Sequence, residues 1–383
     1  MDFKPQVAYV LRWVMHWRAP VFHELEKRNN YEITVIHSSG YLDEVGRPAT
    51  KEYICKNSLL AKGLQIKLLS LKLILQPRAL LIIMRTKFDI VFCEGGRSIF
   101  TNVLILLWCK YRKIPFYWWT GSWEPQLKPA LLDLLLKKYM RLLWRLANGA
   151  IVYNKAGQQK LIEAGVSPEK VFIAQNTRDE RPIMGMKPFW CTKAIELREK
   201  LKIPSRDKII LYVGSLVPEK KVDKLLQAFH RCVNEHPDWH LVIVGDGPGG
   251  SDLESYCEKD SVPNVRFAGR IVEEVYAYFT MCDVFVLPGL GGLAINDAMM
   301  CGKPVICGEA DGTEKDLIID GTTGYLLHSQ DDSIVNEIIQ KLELVLTTKA
   351  LLGVEGAIVK HYIETASFTH MIDMLERAIR VNL

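Results

Sequence analysis

FVLPGLGGLAINDAMMCGKPV, residues 285–305, has the pattern of a strand, a glycine-rich loop, a helix and a second strand. Gly289, Gly291 and Gly292 have no Cβ to keep a ligand away from the backbone. The N–H groups of the first helical turn favour an anion at this place, so we expect a diphosphate there. Asp297, about one turn later, would reach ribose hydroxyls; the alternative is an acid favoured only by the helix dipole.

Strand and helix patterns alternate on both sides of this stretch. A first series runs from QVAYVLR (6–12) and YEITVIH (31–37) through FDIVFCEG (88–95), IPFYWWTG (114–121) and GAIVYNK (149–155) to KVFIAQN (170–176). A second series runs from KIILYVGS (208–215) through WHLVIVGDG (239–247) and VRFAG (265–269) to KPVICGE (303–309). This spacing predicts an α/β protein with two doubly wound, Rossmann-like domains of parallel strands.

The predicted domains are an N-terminal domain over 1–185 and a C-terminal domain over 186–365, which contains the glycine-rich stretch. Residues 366–383 are predicted to form a helix that packs back on the N-terminal domain. The linker is expected in the irregular stretch Arg181–Lys193. Ligands of such sheets bind beyond the carboxyl ends of the strands, so we expect an active site in a cleft between the facing domains.

Composition favours a globular chain in a reducing compartment. With 383 residues and 49% hydrophobic content, the chain can bury two ordinary cores. Charged residues near the N-terminus argue against a secretory leader, and the longest apolar stretch, 99–109, is shorter than a membrane span and predicts a buried helix. Nine cysteines without a C-x-x-C pair argue against a disulfide framework or a thiolate metal site. We therefore expect a cytoplasmic location.

Charge is distributed unevenly along the chain. Residues 1–180 contain 27 Lys/Arg against 15 Asp/Glu, and residues 181–383 contain 22 against 29. Seven basic residues lie between Glu52 and Asp89 with no acid among them, and seven more lie in 125–161 against Asp133 alone. The pattern favours either an anionic membrane surface as a partner or two solvated helix faces. No nucleic-acid motif accompanies the charge, so nucleic acid is not expected as a partner.

VGSLVPEKK, residues 213–221, is a second candidate segment for ligand binding. It places Lys220 shortly after a predicted strand end, where an ammonium neutralises negative charge on a leaving phosphate. Taken alone, a solvated lysine at a helix start is the simpler interpretation. No D-x-D pair is present, and Pro237 separates His236 from His240, so we expect neither a metal nor another cofactor.

Together these segments resemble glycosyltransferase family 4, a large group of retaining GT-B enzymes. The family pattern is Gly-Arg-Leu-x-x-x-Lys, Val-Gly-x-Gly-Pro, a Pro-Ser strand end, Glu-x7-Glu and Gly-x-Pro-Val. The matches are Gly214, Leu216 and Lys220, VGDGP at 244–248, FAGR at 267–270, Asp297-Ala-Met, CGKPV at 301–305 and DGTTGYLL at 320–327. In order and spacing they cover most of residues 208–327.

The resemblance implies a GT-B fold, with an acceptor-binding domain over 1–185 and a nucleotide-sugar-binding domain over 186–365. It also implies a role for each matching residue. Lys220 would contact the donor diphosphate, and Asp297 would replace the second Glu and bind ribose. These two are the predicted catalytic residues. The amides of Gly291, Gly292 and Leu293 would bind phosphate, and Arg270 would border the base. Transfer would retain the anomeric configuration, with the departing phosphate taking the proton from the acceptor hydroxyl.

Three positions depart from the family pattern. Gly289 stands where the family has its first Glu, which contacts the donor sugar, and Ser215 replaces an Arg beside Gly214. In the N-terminal half Thr120 replaces a strand-end His. Glu309 or Glu314, in the sequence GEADGTEKD, is a candidate to restore the sugar contact.

Acceptor-side candidates follow the strands of the first series. They are His16, Arg18, Trp119, Thr120 and Gly121. Arg18 would either hold an acceptor phosphate by bidentate hydrogen bonds or form an ion pair with a nearby acid. Trp118, Trp119 and Trp123 would either stack on a sugar ring or pack in the core.

The sequence therefore predicts a glycosyltransferase that moves a sugar from a nucleotide sugar to a saccharide or lipid-linked acceptor. We expect the enzyme in the cytoplasm, either free or peripheral on the inner face of the membrane. Two alternatives remain: a GT-B sugar-nucleotide epimerase, which needs no acceptor, and a non-catalytic GT-B scaffold subunit, which has no donor turnover.

Overall fold

The computed structural model describes residues 4–38, 53–68, 71–120, 130–348, 351 and 353–383. The chain divides into two compact units. The first comprises residues 1–179 together with Phe368–Leu383, and the second comprises Glu180–Ser367.

The first unit is built on a parallel sheet. Its strands are β1 (Gln6–Val10), β2 (Glu32–His37), β3 (Asn57–Leu60), β4 (Leu64–Leu68), β5 (Leu71–Leu75), β6 (Ile90–Glu94), β7 (Phe116–Trp119), β8 (Gly149–Val152) and β9 (Val171–Ile173). Seven of these pair in the order β3-β2-β1-β6-β7-β8-β9, all parallel, while β4 and β5 form an antiparallel pair. The order reverses between β1 and β6.

Helices cover both faces of this sheet, because its central strands are apolar on both sides. They are α1 (Ala19–Arg28), α2 (Pro77–Arg85), α3 (Ile99–Arg112), α4 (Ala130–Leu146) and α5 (Lys155–Glu163). Buried residues of α2, α3, α4 and α5 share one core with one face of the sheet. Buried residues of α1 belong to the core on the other face.

The second unit contains a six-stranded parallel sheet. Its strands are β10 (Lys208–Val213), β11 (Trp239–Val244), β12 (Val265–Gly269), β13 (Val284–Leu287), β14 (Val305–Gly308) and β15 (Gly324–Leu327). They pair in the order β12-β11-β10-β13-β14-β15, which is the Rossmann order 3-2-1-4-5-6. The order therefore reverses between β10 and β13.

The helices of the second unit surround a single core. They are α6 (Arg181–Gly185), α7 (Lys187–Lys200), α8 (Val222–Cys232), α9 (Gly250–Lys259), α10 (Val275–Met281), α11 (Ala294–Met300), α12 (Thr313–Leu317), α13 (Ser333–Thr347) and α14 (Glu355–Ala366). The last helix, α15 (Phe368–Arg380), returns to the first unit, where Phe368, Met371 and Leu375 lie in the same core as α1.

Three segments differ from the sequence-based expectations. The predicted linker 181–193 is helical, since it contains α6 and the first half of α7. Leu64–Leu68 and Leu71–Leu75, which one of the two sequence-based interpretations placed on a solvated helix face, form the β4–β5 pair. Only the first of these two segments alternates apolar and polar residues throughout. The stretch 99–109 does form a helix, but only one face of it is buried; Leu104 and Leu107 are exposed.

Candidate functional site

The loops after β10 and β13 are adjacent, at the point where the second sheet reverses its strand order. The first loop ends in a 3-10 turn, Pro218–Lys220, and the second contains the glycine-rich segment 289–292. The backbone N–H of Leu290 donates a hydrogen bond of 2.8 Å to the carbonyl oxygen of Glu219, which joins the two loops. Open α/β sheets bind ligands in the crevice outside such a reversal.

Lys220 lies directly over the glycine-rich loop. Its Nζ donates to the carbonyl oxygen of Gly291 at 2.7 Å and also to that of Leu290. A Cβ built on Gly292 would lie 3.6 Å from the same Nζ. The ammonium is therefore held at the place where the sequence predicts a diphosphate, and it brings the positive charge that such a group requires.

Gly289 is required by the packing of these two loops. A Cβ at this position would lie 2.6 Å from the carbonyl carbon of Lys220 and closer still to the carbonyl oxygen of Glu219. Backbone atoms at that distance cannot accommodate a side chain without moving the loop. The family's glutamate is thus excluded here on steric grounds, and Gly289 serves packing instead of contacting a sugar.

Gly291 and Gly292 differ from Gly289 in this respect. The nearest atoms to their built Cβ positions are 3.6 Å away, which is ordinary contact, and neither residue has a left-handed backbone. Packing among the described residues of the second unit does not require glycine at either position, and close approach of a ligand to this backbone stays a prediction. Leu293 follows directly as the N-cap residue of α11.

Asp297 lies in the first turn of α11, one turn beyond the glycine-rich loop. Its side chain is only 4% exposed, and its Oδ1 accepts a hydrogen bond of 3.3 Å from the Tyr276 hydroxyl. Burial, followed by the charge of Asp297, raises the pKa of Cys301 to about 12. The structure thus brings Asp297 beside the loop but anchors its carboxylate to Tyr276; the ribose contact stays a prediction.

The loops after β10 and β11 are also packed backbone against backbone. A Cβ on Gly245, whose φ is +147°, would overlap the carbonyl group of Gly214. The Tyr212 hydroxyl donates to the carbonyl oxygen of Ser215 at 2.8 Å, and Leu216 N donates to Asp246 O. Gly214 and Ser215 therefore belong to the same cluster of strand-end loops as Lys220.

Three other residues were predicted to bind the donor: Glu314 and Glu309, which bond to neighbouring protein groups, and Arg270, which is exposed. Glu314 is 1% exposed and accepts hydrogen bonds from the amides of Ala310 and Gly312, so it fixes the loop after β14; the sugar contact predicted for it stays a prediction. Glu309 pairs with Lys315 and His328, and hydrogen bonds from these two residues lower its pKa. Arg270 is exposed after β12, at the edge of the sheet.

In the first unit Arg18 is an interior residue, 7% exposed. Its Nη1 lies 3.4 Å from Oε1 of Glu94, and its Nη2 donates to Tyr153 at 3.1 Å and Asn176 at 2.9 Å. Its guanidinium also stacks over the Trp119 ring. Burial lowers the pKa of Arg18, but Tyr153 and Glu94 outweigh that effect and raise it. The structure therefore contains the ion pair, the second of the two predicted interpretations.

Glu94 joins Arg18 to a second arginine. Its Oε2 accepts from the backbone N–H of Arg12 at 2.9 Å and from Nε of Arg12 at 3.2 Å. Burial tends to raise the pKa of Glu94, but Arg12 and Arg18 lower it below its ordinary value. Arg12 follows β1 and Glu94 ends β6, so this pair lies where the first sheet reverses its strand order.

The remaining acceptor-side candidates differ in how far they are exposed to solvent. Trp118 and Trp119 are buried, which supports core packing for both, and Thr120 is 4% exposed. His16 is exposed and lies edge-on to Trp17, with ring centroids 4.9 Å apart. Gly121 and Trp123 lie outside the described residues.

Arg12, Glu94, Tyr153 and Asn176 were not among the predicted site residues, although the sequence contains a signal for them. Each ends or directly follows a strand pattern of the first series, in QVAYVLR, FDIVFCEG, GAIVYNK and KVFIAQN. Because parallel strands bring their carboxyl ends to one edge of the sheet, a search of every strand end for polar residues would have found all four. In the described part of the chain, no cluster of three or more His, Cys, Asp or Glu side chains is arranged to hold a metal ion.

Comparison with known proteins finds a family match for most of the second unit. The glycosyl transferases of group 1 match residues 193–349. The GDP-mannose-dependent alpha-(1-6)-phosphatidylinositol monomannoside mannosyltransferase of Mycolicibacterium smegmatis is 29% identical over 172 residues, 42% of this chain and 44% of that protein. The chain therefore matches less than half the length of this relative.

Solved structures match over nearly the whole chain. The lipopolysaccharide outer core galactosyltransferase WaaB has a TM-score of 0.70 at 16% identity, covering 99% of this chain and all of that one. HepE of Anabaena, in complex with UDP and glucose, has a TM-score of 0.65 at 15% identity, covering 98% and 100%. The predicted GT-B fold is thereby confirmed for the chain, and residues 193–349 match the glycosyl transferases of group 1, as the resemblance to glycosyltransferases implied.

Proposed function

We propose that this protein transfers a sugar from a nucleoside diphosphate sugar to a saccharide or lipid-linked acceptor. The observation that carries the proposal is the position of Lys220, whose Nζ lies over Gly291 and Gly292 at the strand-order reversal of the second sheet. This arrangement combines a fixed positive charge with backbone that a phosphate can approach closely.

Lys220 would act on the leaving group. When the bond between the sugar and the diphosphate breaks, negative charge accumulates on the departing phosphate, and a cation already in place lowers the energy of that state. The acceptor hydroxyl would attack on the face that the nucleotide leaves, and the departing phosphate would take its proton. Transfer would therefore retain the anomeric configuration without a dedicated carboxylate base.

The relatives support both substrates of this proposal. HepE was solved with UDP and glucose, and the mannosyltransferase of Mycolicibacterium smegmatis is GDP-mannose-dependent. The same mannosyltransferase acts on a phosphatidylinositol monomannoside, and WaaB is a lipopolysaccharide galactosyltransferase. Donors in this set are nucleotide sugars, and acceptors are saccharides attached to lipids.

A thermal-shift screen of nucleoside diphosphates, followed by their sugars, tests the donor assignment. A ligand at about 100 times its Kd stabilises the folded state by roughly 2.7 kcal/mol, which gives a clear shift. NMR of the product made from the best donor then gives the anomeric configuration, which we expect to match that of the donor. A changed nucleotide sugar formed without acceptor would instead indicate an epimerase, and absence of any nucleotide-induced shift would indicate a scaffold.

We further propose that the enzyme works at an anionic membrane surface. None of the helices in the described residues has the length and apolar content of a membrane span. Helices α2, α3 and α4 pack on one face of the first sheet, and several large apolar side chains on their outer sides are exposed. They are Leu81, Met84, Phe100, Leu104, Leu107, Tyr111, Leu134, Leu135, Tyr139 and Leu142.

The spacing and charge of these helices fit a lipid headgroup layer. On α3 the exposed Phe100, Leu104, Leu107 and Tyr111 recur at helical intervals, so they form one stripe. The three helices contain eight Lys and Arg residues, and Asp133 is their single acid. Apolar side chains would enter the headgroup layer while each basic residue contributes about 1 kcal/mol against anionic lipid. A cytoplasmic face is consistent with nine cysteines that are all free thiols.

Sedimentation with phosphatidylglycerol-containing vesicles tests the membrane surface. We expect binding at low salt, weaker binding at high salt, and a further loss in Leu104→Ser/Leu107→Ser. Ile195→Ser is the matched control, because Ile195 is an exposed apolar residue on α7 of the second unit. If Leu104→Ser/Leu107→Ser bound the vesicles as well as Ile195→Ser does, or if the wild type did not bind them at low salt, this part of the proposal would be refuted.

A further inference from the structure

The first sheet has a strand-order reversal of its own, and charged side chains meet there. Arg12 follows β1, Glu94 ends β6, and their side chains are joined at 3.2 Å. Arg18 reaches the same carboxylate at 3.4 Å. Ligands bind at the point where a doubly wound sheet reverses its strand order. Basic side chains lie at this point in both sheets: Lys220 in the second, and Arg12 and Arg18 in the first.

The charges of this cluster do not balance. Among the described residues, the guanidinium groups of Arg12 and Arg18 share the carboxylate of Glu94 and pair with no other acid, which leaves one net positive charge in this part of the structure. Side-chain exposure is 20% for Arg12, 8% for Arg18 and 9% for Glu94, so water solvates the charge poorly. A charge withdrawn from water is costly unless a counter-charge is close. An anion at this place would supply that counter-charge.

The backbone beside the cluster also favours an anion. Gly95 and Gly96 follow Glu94 and lead into α3, a helix of 14 residues, and Gly96 has a φ of +112°. The guanidinium carbon of Arg12 would be 3.7 Å from a Cβ built on Gly96, so the charge lies against this turn. The N–H groups at the start of a helix are anion-binding donors.

Two buried polar groups of the cluster have no protein partner among the described residues. Ser98, the N-cap residue of α3, is 2% exposed, and its Oγ makes neither a capping bond nor any other hydrogen bond. Nε of Arg18 is likewise buried without an acceptor. Buried donors are ordinarily satisfied, so both groups point to a ligand with acceptor oxygens.

We propose that Arg12, Arg18 and the Gly96–Ser98 turn bind a phosphate group carried by the acceptor. Phosphate fits because it offers several acceptor oxygens to guanidinium forks, a hydroxyl and helix-start amides. Glu94 is a positioning residue in this site: it holds both arginines while neutralising only one of them. The proposal deepens the proposed function and rests on it, since it names the class of acceptor.

The experiment measures binding of two probes, sn-glycerol 3-phosphate and the nucleoside diphosphate selected by the thermal-shift screen, to the full chain. Arg12→Gln should weaken glycerol phosphate binding about tenfold or more and leave nucleotide binding unchanged. Lys220→Ala should weaken nucleotide binding and leave glycerol phosphate binding unchanged. Arg85→Gln, which removes an exposed arginine on α2 of the same unit, is the control and should alter neither.

Glu94→Gln provides a test that does not depend on loss of binding. Removing the carboxylate leaves two positive charges, so this variant should bind glycerol phosphate more tightly than the wild type if it folds. Glucuronate and glucose, as probes, separate phosphate from carboxylate and from an uncharged sugar. Equal glycerol phosphate binding by wild type and Arg12→Gln, or preference for glucuronate, would overturn the proposal. Absence of nucleotide binding would instead refute the proposed function.

Discussion

The side chain of Lys220 and the backbone of Gly291 are bonded, with 2.7 Å between Nζ and the carbonyl oxygen, across 71 positions of sequence. The bond closes the gap between the loops after β10 and β13, which meet where the sheet reverses its strand order. It holds the ammonium over the two glycines that packing does not require. A cation and approachable backbone are thereby placed together, which is the arrangement that a diphosphate needs.

Gly289→Ala should lower the free energy of unfolding by about 1–3 kcal/mol, because the added Cβ overlaps the backbone of Glu219 and Lys220. Gly291→Ala is the matched control, since its Cβ would meet Ala310 at 3.6 Å in ordinary contact. Urea unfolding of both variants measures the difference. Equal destabilisation by the two substitutions would contradict the packing role of Gly289.

Gly292→Val should weaken nucleotide binding while leaving stability nearly unchanged. The side chain would enter the space beside Lys220 Nζ, where we place a phosphate, and the backbone conformation of Gly292 does not require glycine. Calorimetric titration with the preferred nucleoside diphosphate measures the effect, and urea unfolding confirms the fold. Nucleotide binding at wild-type strength would place the diphosphate elsewhere.

The ionised Glu94 should stabilise the first unit in a pH-dependent way. Its folded-state pKa lies below the ordinary 4.5, so its contribution is present above that pH and is lost as the pH falls through the folded pKa. Breaking a buried ion pair costs about 3–5 kcal/mol, so Glu94→Gln should be less stable by that order at neutral pH. The difference from wild type should shrink on acidification below pH 4.5.

Glu309→Gln is the control for this pH experiment, because Glu309 also has a lowered pKa but its side chain is 32% exposed, and its partners are Lys315 and His328. Solvent screens that pair, so its substitution should have a much smaller effect on unfolding. Urea unfolding from neutral to acidic pH compares the three proteins. If the free energy of unfolding of Glu94→Gln differed from that of the wild type by the same amount at every pH, the result would contradict the account.

Chelation should not reduce transfer. We assign the positive charge at the diphosphate to Lys220, so the reaction as proposed needs no bound cation. Initial rates after dialysis against EDTA, with and without added Mg²⁺ or Mn²⁺, measure this. A rate that disappears on chelation and returns with one of these ions would show that a metal is required.

Much of the fold was predictable, because strand and helix periods survive in a sequence whose sheets are buried on both faces. The donor loops were predictable for the same reason: Lys220 and the glycine-rich segment both follow strong strand patterns. The β4–β5 pair was missed because Leu64–Leu75 also fits an amphipathic basic helix, and tertiary context selects the strand form.

The sites were less predictable because side-chain partners are long-range. No local pattern shows that Gly289 lies against Glu219 and Lys220, some 70 positions earlier, or that Arg12 and Arg18 share a carboxylate at Glu94. Glu309 or Glu314 was predicted as a sugar ligand from nearness in sequence, which gave no sign that Glu314 accepts hydrogen bonds from the amides of its own loop. Nearness in sequence indicates a shared loop; it does not indicate which atoms meet.

The most direct test of the central claim is calorimetric titration of Lys220→Ala with the preferred nucleoside diphosphate. We expect about a hundredfold weaker binding than wild type, because a charge-assisted contact to phosphate is lost from a folded protein. Lys224→Ala is the control, since Lys224 pairs with Asp332 on the surface of the same unit, and it should bind normally. Nucleotide binding by Lys220→Ala at wild-type strength would contradict the assignment of the donor site.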